Sequence, residues 1–180
     1  MRTRRRNWRL RNFLSTPATV ALCGAVAIAA LGNTPSPRQA LFVWNATASA
    51  PVGLYRVTHG RALSRGDLVL AVPTPALAAF ADARGYLPMR VPLVKRIAAV
   101  AGDDVCARGN AIFIDGRFAA ARLAADREGR PLPSWSGCRT LRSGDVFLLM
   151  PDARASFDGR YFGPTTISDI AGTLEPLWTY

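Results

Sequence analysis

The chain has 180 residues, of which 49% are hydrophobic, so it can form one domain with a packed core but hardly two. This apolar content excludes a largely disordered chain. One histidine and three cysteines without a close cysteine pair exclude the usual structural metal sites, so no cofactor or metal is expected.

Positive charge is concentrated at the N-terminus of the chain. The net charge is +11, and six of the 23 basic residues are Arg2, Arg4, Arg5, Arg6, Arg9 and Arg11. A basic tail can bind nucleic acid, or it can flank a membrane segment on the cytoplasmic side. The residues that follow favour the membrane, so no nucleic-acid partner is expected.

An uncharged, alanine-rich segment follows this tail. No charged residue lies between positions 12 and 37, and residues 18–32 are almost wholly apolar. The positive-inside rule places the tail in the cytoplasm and everything after Gly32 outside, with the apolar segment in contact with the lipid of the bacterial cytoplasmic (inner) membrane. The short apolar run is interpreted as a transmembrane anchor, with a cleaved signal segment as the alternative. The predicted organisation is a cytoplasmic basic tail at 1–13, the anchor or signal segment at 14–32, a Pro-rich linker at 33–40 and a periplasmic domain at 41–180.

The pattern of the exported domain predicts a mostly β fold. Apolar runs that follow turn residues predict strands at 53–57, 67–72, 91–100, 111–115, 117–121, 145–150 and 172–177. Asp115-Gly116 is a strong signal for a two-residue hairpin turn. One helix is predicted at 75–84, with Thr74 as its N-cap and Gly85 just past its end. The polar, Pro-containing segment 123–140 is predicted to be a small irregular excursion from the sheet.

Two of the three cysteines lie in the exported domain. Cys23 falls within the apolar segment, whereas Cys106 and Cys138 lie in a compartment where oxidation is expected. We therefore predict a disulfide bond between Cys106 and Cys138.

Lysine is almost absent from this chain. Only one of the 23 basic residues, Lys95, is not arginine. Arginine is effectively always charged, whereas the pKa of lysine shifts readily on burial, so a site that needs a neutral amine cannot use arginine. In a strand, Lys95 shares one face with Val91, Leu93 and Ile97, and such apolar surroundings would lower its pKa and make it a general base. The alternative is a lysine at a strand edge whose ammonium reaches solvent.

A lysine base needs a hydroxyl to deprotonate. Residues 45–55 (NATASAPVGLY) supply Ser49, with small neighbours that let a peptide backbone approach and with Pro51 and Gly53 that favour a turn. The alternative is a Ser/Thr-rich loop that leads into a strand.

Three segments together resemble a known family. The segments SAPVGLYRV at 49–57, VKRIAAVAGDDV at 94–105 and SFDGRYFGP at 156–164 follow the apolar segment in this order. They resemble the serine–lysine (type I) signal peptidases and, within these, the TraF-type conjugative-transfer peptidases. The resemblance covers nearly the whole exported domain. It implies a signal-peptidase-like coiled antiparallel β-sheet domain, preceded by one N-terminal transmembrane helix.

The resemblance also implies catalytic positions. Ser49 corresponds to the nucleophile and Lys95 to its general base, which together form a Ser-Lys dyad. Asp158 matches the acidic position of the last segment and would support the site by positioning Lys95 or Ser156.

Further residues would support the reaction. Ser156 would hydrogen-bond the Lys95 amine and orient it, and Arg160 matches the basic position of the last segment. The Thr47 hydroxyl and the backbone N–H of Ser49 would donate hydrogen bonds to the oxyanion.

The expected function is a membrane-anchored serine endopeptidase that processes an exported precursor, namely a conjugative pilin or transfer protein. Ala50 stands where general secretory signal peptidases usually have Met, and residues 151–155 depart from their last motif, which favours a specialised peptidase. The alternatives are a general secretory type I signal peptidase and a non-catalytic pilus or envelope assembly protein on the same scaffold. A self-cleaving repressor also uses a Ser-Lys dyad, but the apolar segment argues against it.

Overall fold

The computed structural model describes residues 36–180. The predicted basic tail and the anchor or signal segment at 14–32 lie outside the described residues. Among the residues that are described, no helix is both long and apolar enough to span a bilayer.

Eleven strands and two short α-helices make up the described part of the chain. The strands are β1 (Phe42–Asn45), β2 (Gly53–Thr58), β3 (Leu68–Ala71), β4 (Leu93–Ala99), β5 (Asp104–Arg108), β6 (Ala111–Ile114), β7 (Arg117–Ala121), β8 (Gly137–Thr140), β9 (Asp145–Leu148), β10 (Thr165–Thr166) and β11 (Ile170–Thr179). The helices are α1 (Pro75–Ala83) and α2 (Gly159–Phe162), and 3-10 turns occur at Pro37–Gln39 and Ile167–Asp169. The predicted mostly β fold is confirmed.

The strands form two antiparallel sheets. The larger sheet has the order β1-β2-β11-β3-β4-β9-β10, and the smaller one has the order β7-β6-β5-β8. Every strand pair in the two sheets is antiparallel, as predicted. The buried apolar residues form three clusters, two of them on the large sheet and one between β9 and the small sheet.

Strand β11 lies between β2 and β3 in the interior of the large sheet. Its pairing register shifts once against each neighbour, and such bulges bend a strand and increase its twist. Glycine is needed where β2 meets the end of β11, because a Cβ on Gly53 would lie 2.1 Å from the carbonyl oxygen of Trp178. This close approach fixes the start of β2, directly after the loop that carries Ser49.

The helix and the hairpin turn follow the sequence prediction. Helix α1 is capped by Thr74, whose hydroxyl accepts a hydrogen bond from Leu77 N at 3.4 Å. Asp115 and Gly116 have φ angles of 49° and 74° between β6 and β7, as a type I′ turn requires.

The predicted strand at 91–100 begins too early. Strand β4 starts at Leu93, and Val91 is 39% exposed, so Val91 does not belong to the apolar face of that strand. Pro92 has no backbone N–H to donate to a neighbouring strand, which explains why pairing starts after it. The last strand was predicted too short, since β11 runs from Ile170 to Thr179.

The excursion at 123–140 is only partly irregular. Its last four residues form β8, which pairs with β5 and places Cys138 opposite Cys106. All four residues of β8 are exposed, so no alternation of apolar and polar residues marks the strand in the sequence. The strands β1, β5 and β10 and the helix α2 were also not predicted.

Cys106 and Cys138 are joined by a disulfide bond that closes a loop with a sequence separation of 32. Replacing both cysteines by alanine should lower the free energy of unfolding by about 2–4 kcal/mol, because the unfolded chain regains the freedom that the cross-link removes. Denaturant titration of the oxidised protein and of the double variant measures this difference. Equal unfolding midpoints would show that the cross-link does not stabilise the domain.

Candidate active site

Ser49 lies in the loop that connects β1 to β2, which we call the Ser49 loop (residues 46–52). The two strands pair up to Asn45 and Gly53, so the loop projects from the end of a hairpin at one edge of the large sheet. Ala50 is buried at 4% exposure, whereas Ser49 is half-buried and Thr47 is exposed. The loop is therefore anchored in the core at Ala50, while Ser49 remains partly accessible.

A buried asparagine holds the Ser49 loop. The Nδ2 group of Asn45 donates to the carbonyl oxygens of Thr47, Ala50 and Pro51 at 2.9, 3.0 and 3.0 Å. Its Oδ1 accepts from Thr47 N at 3.2 Å and from Thr47 Oγ1 at 2.9 Å. The Tyr55 hydroxyl adds a hydrogen bond to the Pro51 carbonyl at 2.6 Å. Sequence reasoning missed Asn45, because strand β1 was not predicted and the hydrogen bonds of Asn45 depend on how the loop folds.

Lys95 projects from β4 into the protein beside Ser49. Its Nζ lies 3.1 Å from Ser49 Oγ, and the side chain is 4% exposed. Leu93 and Ile97, two residues away on either side along the strand, are buried as well, so the expected apolar face is present. The neighbouring Arg96 is exposed.

The environment of Lys95 makes the neutral form of its amine more accessible than it is in an ordinary lysine. Burial lowers the pKa of the amine from its ordinary value of 10.5 to about 8, because desolvation disfavours the ammonium. The charge of Asp158 acts in the opposite direction and raises this pKa, while the charge of Arg160 lowers it. An amine with such a pKa can accept a proton near neutral pH.

Asp158 and Arg160 form a buried ion pair behind the site. Asp158 is 0% exposed and Arg160 is 1% exposed, and Arg160 Nε lies 2.8 Å from Asp158 Oδ1. Asp158 also caps α2 and accepts a hydrogen bond from Met150 N at 3.0 Å. These contacts occupy its carboxylate, and Asp158 acts on Lys95 through its charge. The expected role of Asp158 in positioning Lys95 or Ser156 stays a prediction.

The guanidinium of Arg160 ties several segments to this pair. It donates to the carbonyl oxygens of Met150, Ala153, Arg154 and Ala121. The first three carbonyls belong to the turn before Ser156. The fourth belongs to Ala121, the last residue of β7 in the small sheet. Arg160 therefore fixes the backbone that carries Ser156 relative to both sheets.

Ser156 is buried, but no hydrogen bond connects it to Lys95. It is 4% exposed, and its Oγ has no hydrogen-bond partner among the described residues. The next residue, Phe157, stacks on Phe80 of α1 and on Tyr161 of α2, with ring centroids 5.7 and 5.9 Å apart. This aromatic contact sets the position of residues 156–158.

The histidine lies elsewhere. The ring nitrogens of His59 contact the carbonyl oxygens of Ala171 at 2.8 Å and Ala40 at 3.0 Å, so the side chain links neighbouring strand ends. Within residues 36–180, no group of three His, Cys, Asp or Glu side chains could hold a metal ion. The site itself places a hydroxyl beside an amine.

The chain is similar to known proteins over most of its length. Residues 13–178 match the family described as signal peptidase, peptidase S26. The chain therefore belongs to the S26 signal peptidase family.

Its relatives include TraF proteins. The plasmid transfer protein TraF of Escherichia coli is 33% identical over 178 residues, which cover 93% of this chain and 96% of that protein. The conjugal transfer protein TraF of Agrobacterium fabrum is also 33% identical over 178 residues, with 93% and 99% covered. The probable conjugal transfer protein TraF of Sinorhizobium fredii is 34% identical over 173 residues, with 90% and 86% covered. The predicted resemblance to TraF-type peptidases is confirmed.

Among solved structures, the chain is similar to a signal peptidase I from Enterococcus faecalis. The TM-score is 0.38 and the sequence identity is 19%, and the match covers 64% of this chain and 98% of that one.

Proposed function

We propose that this chain is a serine endopeptidase of the signal peptidase type, with Ser49 as nucleophile and Lys95 as general base. The observation that carries the proposal is the 3.1 Å contact between a buried amine and a half-buried hydroxyl. With a pKa of about 8, roughly a tenth of the amine is neutral at pH 7, against about one in three thousand for an ordinary lysine. This difference makes Lys95 a usable base where a solvated lysine is not.

The reaction follows from this arrangement. Neutral Lys95 takes the proton of Ser49 as Oγ attacks the scissile carbonyl carbon, and the carbonyl oxygen becomes an oxyanion. Backbone N–H and hydroxyl groups of the Ser49 loop can donate to that oxyanion. The protonated Lys95 then donates to the leaving amine, and water or another amine resolves the acyl-enzyme.

The substrate is an exported precursor with small residues before the cleaved bond. The relatives with transfer-protein names support a conjugative pilin or transfer protein over an ordinary secreted precursor. The apolar segment at 14–32 would anchor the chain in the cytoplasmic membrane, with residues 41–180 on the periplasmic side.

Ser49→Ala should abolish processing, because alanine offers no nucleophile. The measurement is the conversion of a conjugative pilin precursor and of an ordinary secreted precursor, each co-expressed with the full chain. Ser143→Ala makes the same change at an exposed turn and should leave processing intact. Processing of either precursor by Ser49→Ala would contradict the proposal, and preference for the secreted precursor would favour a general signal peptidase.

The rate should rise with pH through a midpoint of about 8, because protonated Lys95 cannot accept a proton and its pKa is lowered to that value. The rate rises rather than falls with pH because the neutral amine is the active form. Initial rates between pH 6 and 10 with a peptide ester measure this dependence. A rate that falls over this range, or that is still rising steeply at pH 10 with no midpoint near 8, would contradict the lowered pKa of Lys95.

A further inference from the structure

The Ser49 loop depends on one side chain that lies outside the dyad. Asn45 is 4% exposed and makes five hydrogen bonds to the loop that follows it. Its two amide protons serve three carbonyl oxygens, so one proton is shared between two of them, and two further hydrogen bonds come from Thr47. The Thr47 hydroxyl lies in turn 3.2 Å from Ser49 Oγ.

The chemistry of these groups fixes the direction of each hydrogen bond. The side of the Asn45 amide that faces three carbonyls must be its NH2 group, so the opposite atom is the oxygen, which only accepts. Thr47 must therefore donate its single hydroxyl proton to Asn45 Oδ1. With that proton engaged, the contact between Thr47 and Ser49 requires the Ser49 hydroxyl to be the donor.

We propose that Asn45 is the positioning residue of the Ser49 loop. This inference rests on the proposed function, since it concerns the same reaction. Asn45 holds Ser49 Oγ at its distance from Lys95 by binding the carbonyls on both sides of Ser49. It also takes the Thr47 proton, so that the Ser49 hydroxyl points to Thr47 in the resting enzyme.

The consequence for the reaction concerns two protons. On attack, the Ser49 hydroxyl turns from Thr47 to Lys95, and its proton passes from Oγ to Nζ as Oγ bonds to the carbonyl carbon and the carbonyl oxygen takes up the electron pair of the broken π bond. Thr47 can donate to the oxyanion only after its hydroxyl turns away from Asn45. The predicted oxyanion role of Thr47 therefore requires its hydroxyl to rotate. The hydrogen bond to Asn45 opposes this rotation, and the negative charge of the oxyanion favours it.

The test uses the full chain in detergent micelles with the p-nitrophenyl ester of acetyl-Ala-Ala-Ala. Ser49 Oγ displaces p-nitrophenolate, which is followed by absorbance, and water then releases acetyl-trialanine. Asn45→Leu keeps a similar volume without hydrogen bonds, and it should lower the acylation rate by about 10²-fold, as expected for a nucleophile misplaced by about 1 Å. Asn110→Leu makes the same change in the exposed turn between β5 and β6 and should retain the wild-type rate.

The coupling between Asn45 and Thr47 distinguishes a positioning role from a purely structural one. Because both substitutions break the same contact, Asn45→Leu combined with Thr47→Val should lose less activity than the product of the two single losses. The midpoint of the pH profile should stay near 8 in each folded variant, since Lys95 is held by β4. If Asn45→Leu does not fold, Asn45→Asp keeps an acceptor for Thr47 and removes the donors that face the carbonyls, so its rate should also fall.

The outcomes separate the two proposals. Wild-type rates in a folded Asn45→Leu or Asn45→Asp variant would overturn the inference, and so would strictly multiplicative losses in the double variant. If the wild-type chain releases p-nitrophenolate no faster than Ser49→Ala, the proposed function itself fails.

Discussion

Lys95→Arg should lower the rate of Ser49 acylation by about 10⁴-fold, the upper end of what a positioned general base contributes. The substitution keeps a positive charge and a long side chain but removes a group that can be neutral, because the pKa of arginine stays above about 12 in proteins. The measurement is the acylation rate with the same ester, supported by precursor processing in cells.

The neighbouring residue offers a matched control. Arg96 is exposed on β4, and its guanidinium donates to the Gly66 carbonyl rather than to the site. Arg96→Lys makes the reverse exchange one position away and should leave the rate unchanged. If Lys95→Arg retained the wild-type rate, the amine would not be the base, whatever its distance from Ser49.

Asp158→Asn should lower the free energy of unfolding by about 3–5 kcal/mol, because it leaves the Arg160 charge buried without its partner. Both side chains are almost fully buried, and the two groups lie 2.8 Å apart. Denaturant titration at constant pH measures the loss. Asp152→Asn removes an exposed carboxylate six residues earlier and should have little effect.

The same substitution tests how Asp158 influences the reaction. The charge of Asp158 raises the pKa of Lys95, whereas that of Arg160 lowers it. Removing the negative charge alone should therefore move the midpoint of the pH–rate profile below 8. A midpoint that moved upward, or a folded variant of wild-type stability, would contradict this description of the pair.

The dyad could be proposed from the sequence because the family resemblance points to two residues that also carry local signals. Lys95 is the only lysine of the chain, and it sits in an apolar alternation typical of a strand. Ser49 lies among small residues directly before a proline and a glycine. In the structure, these two side chains are separated by 46 positions in sequence but meet at 3.1 Å.

Other features depend on tertiary contacts that no local pattern records. Strand β8 is exposed at every position and is held by its pairing with β5 and by the disulfide bond. The partner of Asp158 is Arg160 rather than Lys95 or Ser156, because the turn at α2 brings the guanidinium against the carboxylate. The role of Asn45 depends on how the Ser49 loop folds back over β1, which its residue type does not reveal.

The most direct test of the account is the titration of Lys95 itself. Because the chain contains a single lysine, selective ¹³C and ¹⁵N labelling of lysine gives one side-chain signal in NMR spectra of the full chain in micelles, and it needs no assignment. The account predicts that this signal titrates with a midpoint of about 8. A midpoint at the ordinary value of 10.5 would leave only about one amine in three thousand neutral at pH 7 and would contradict a lysine base.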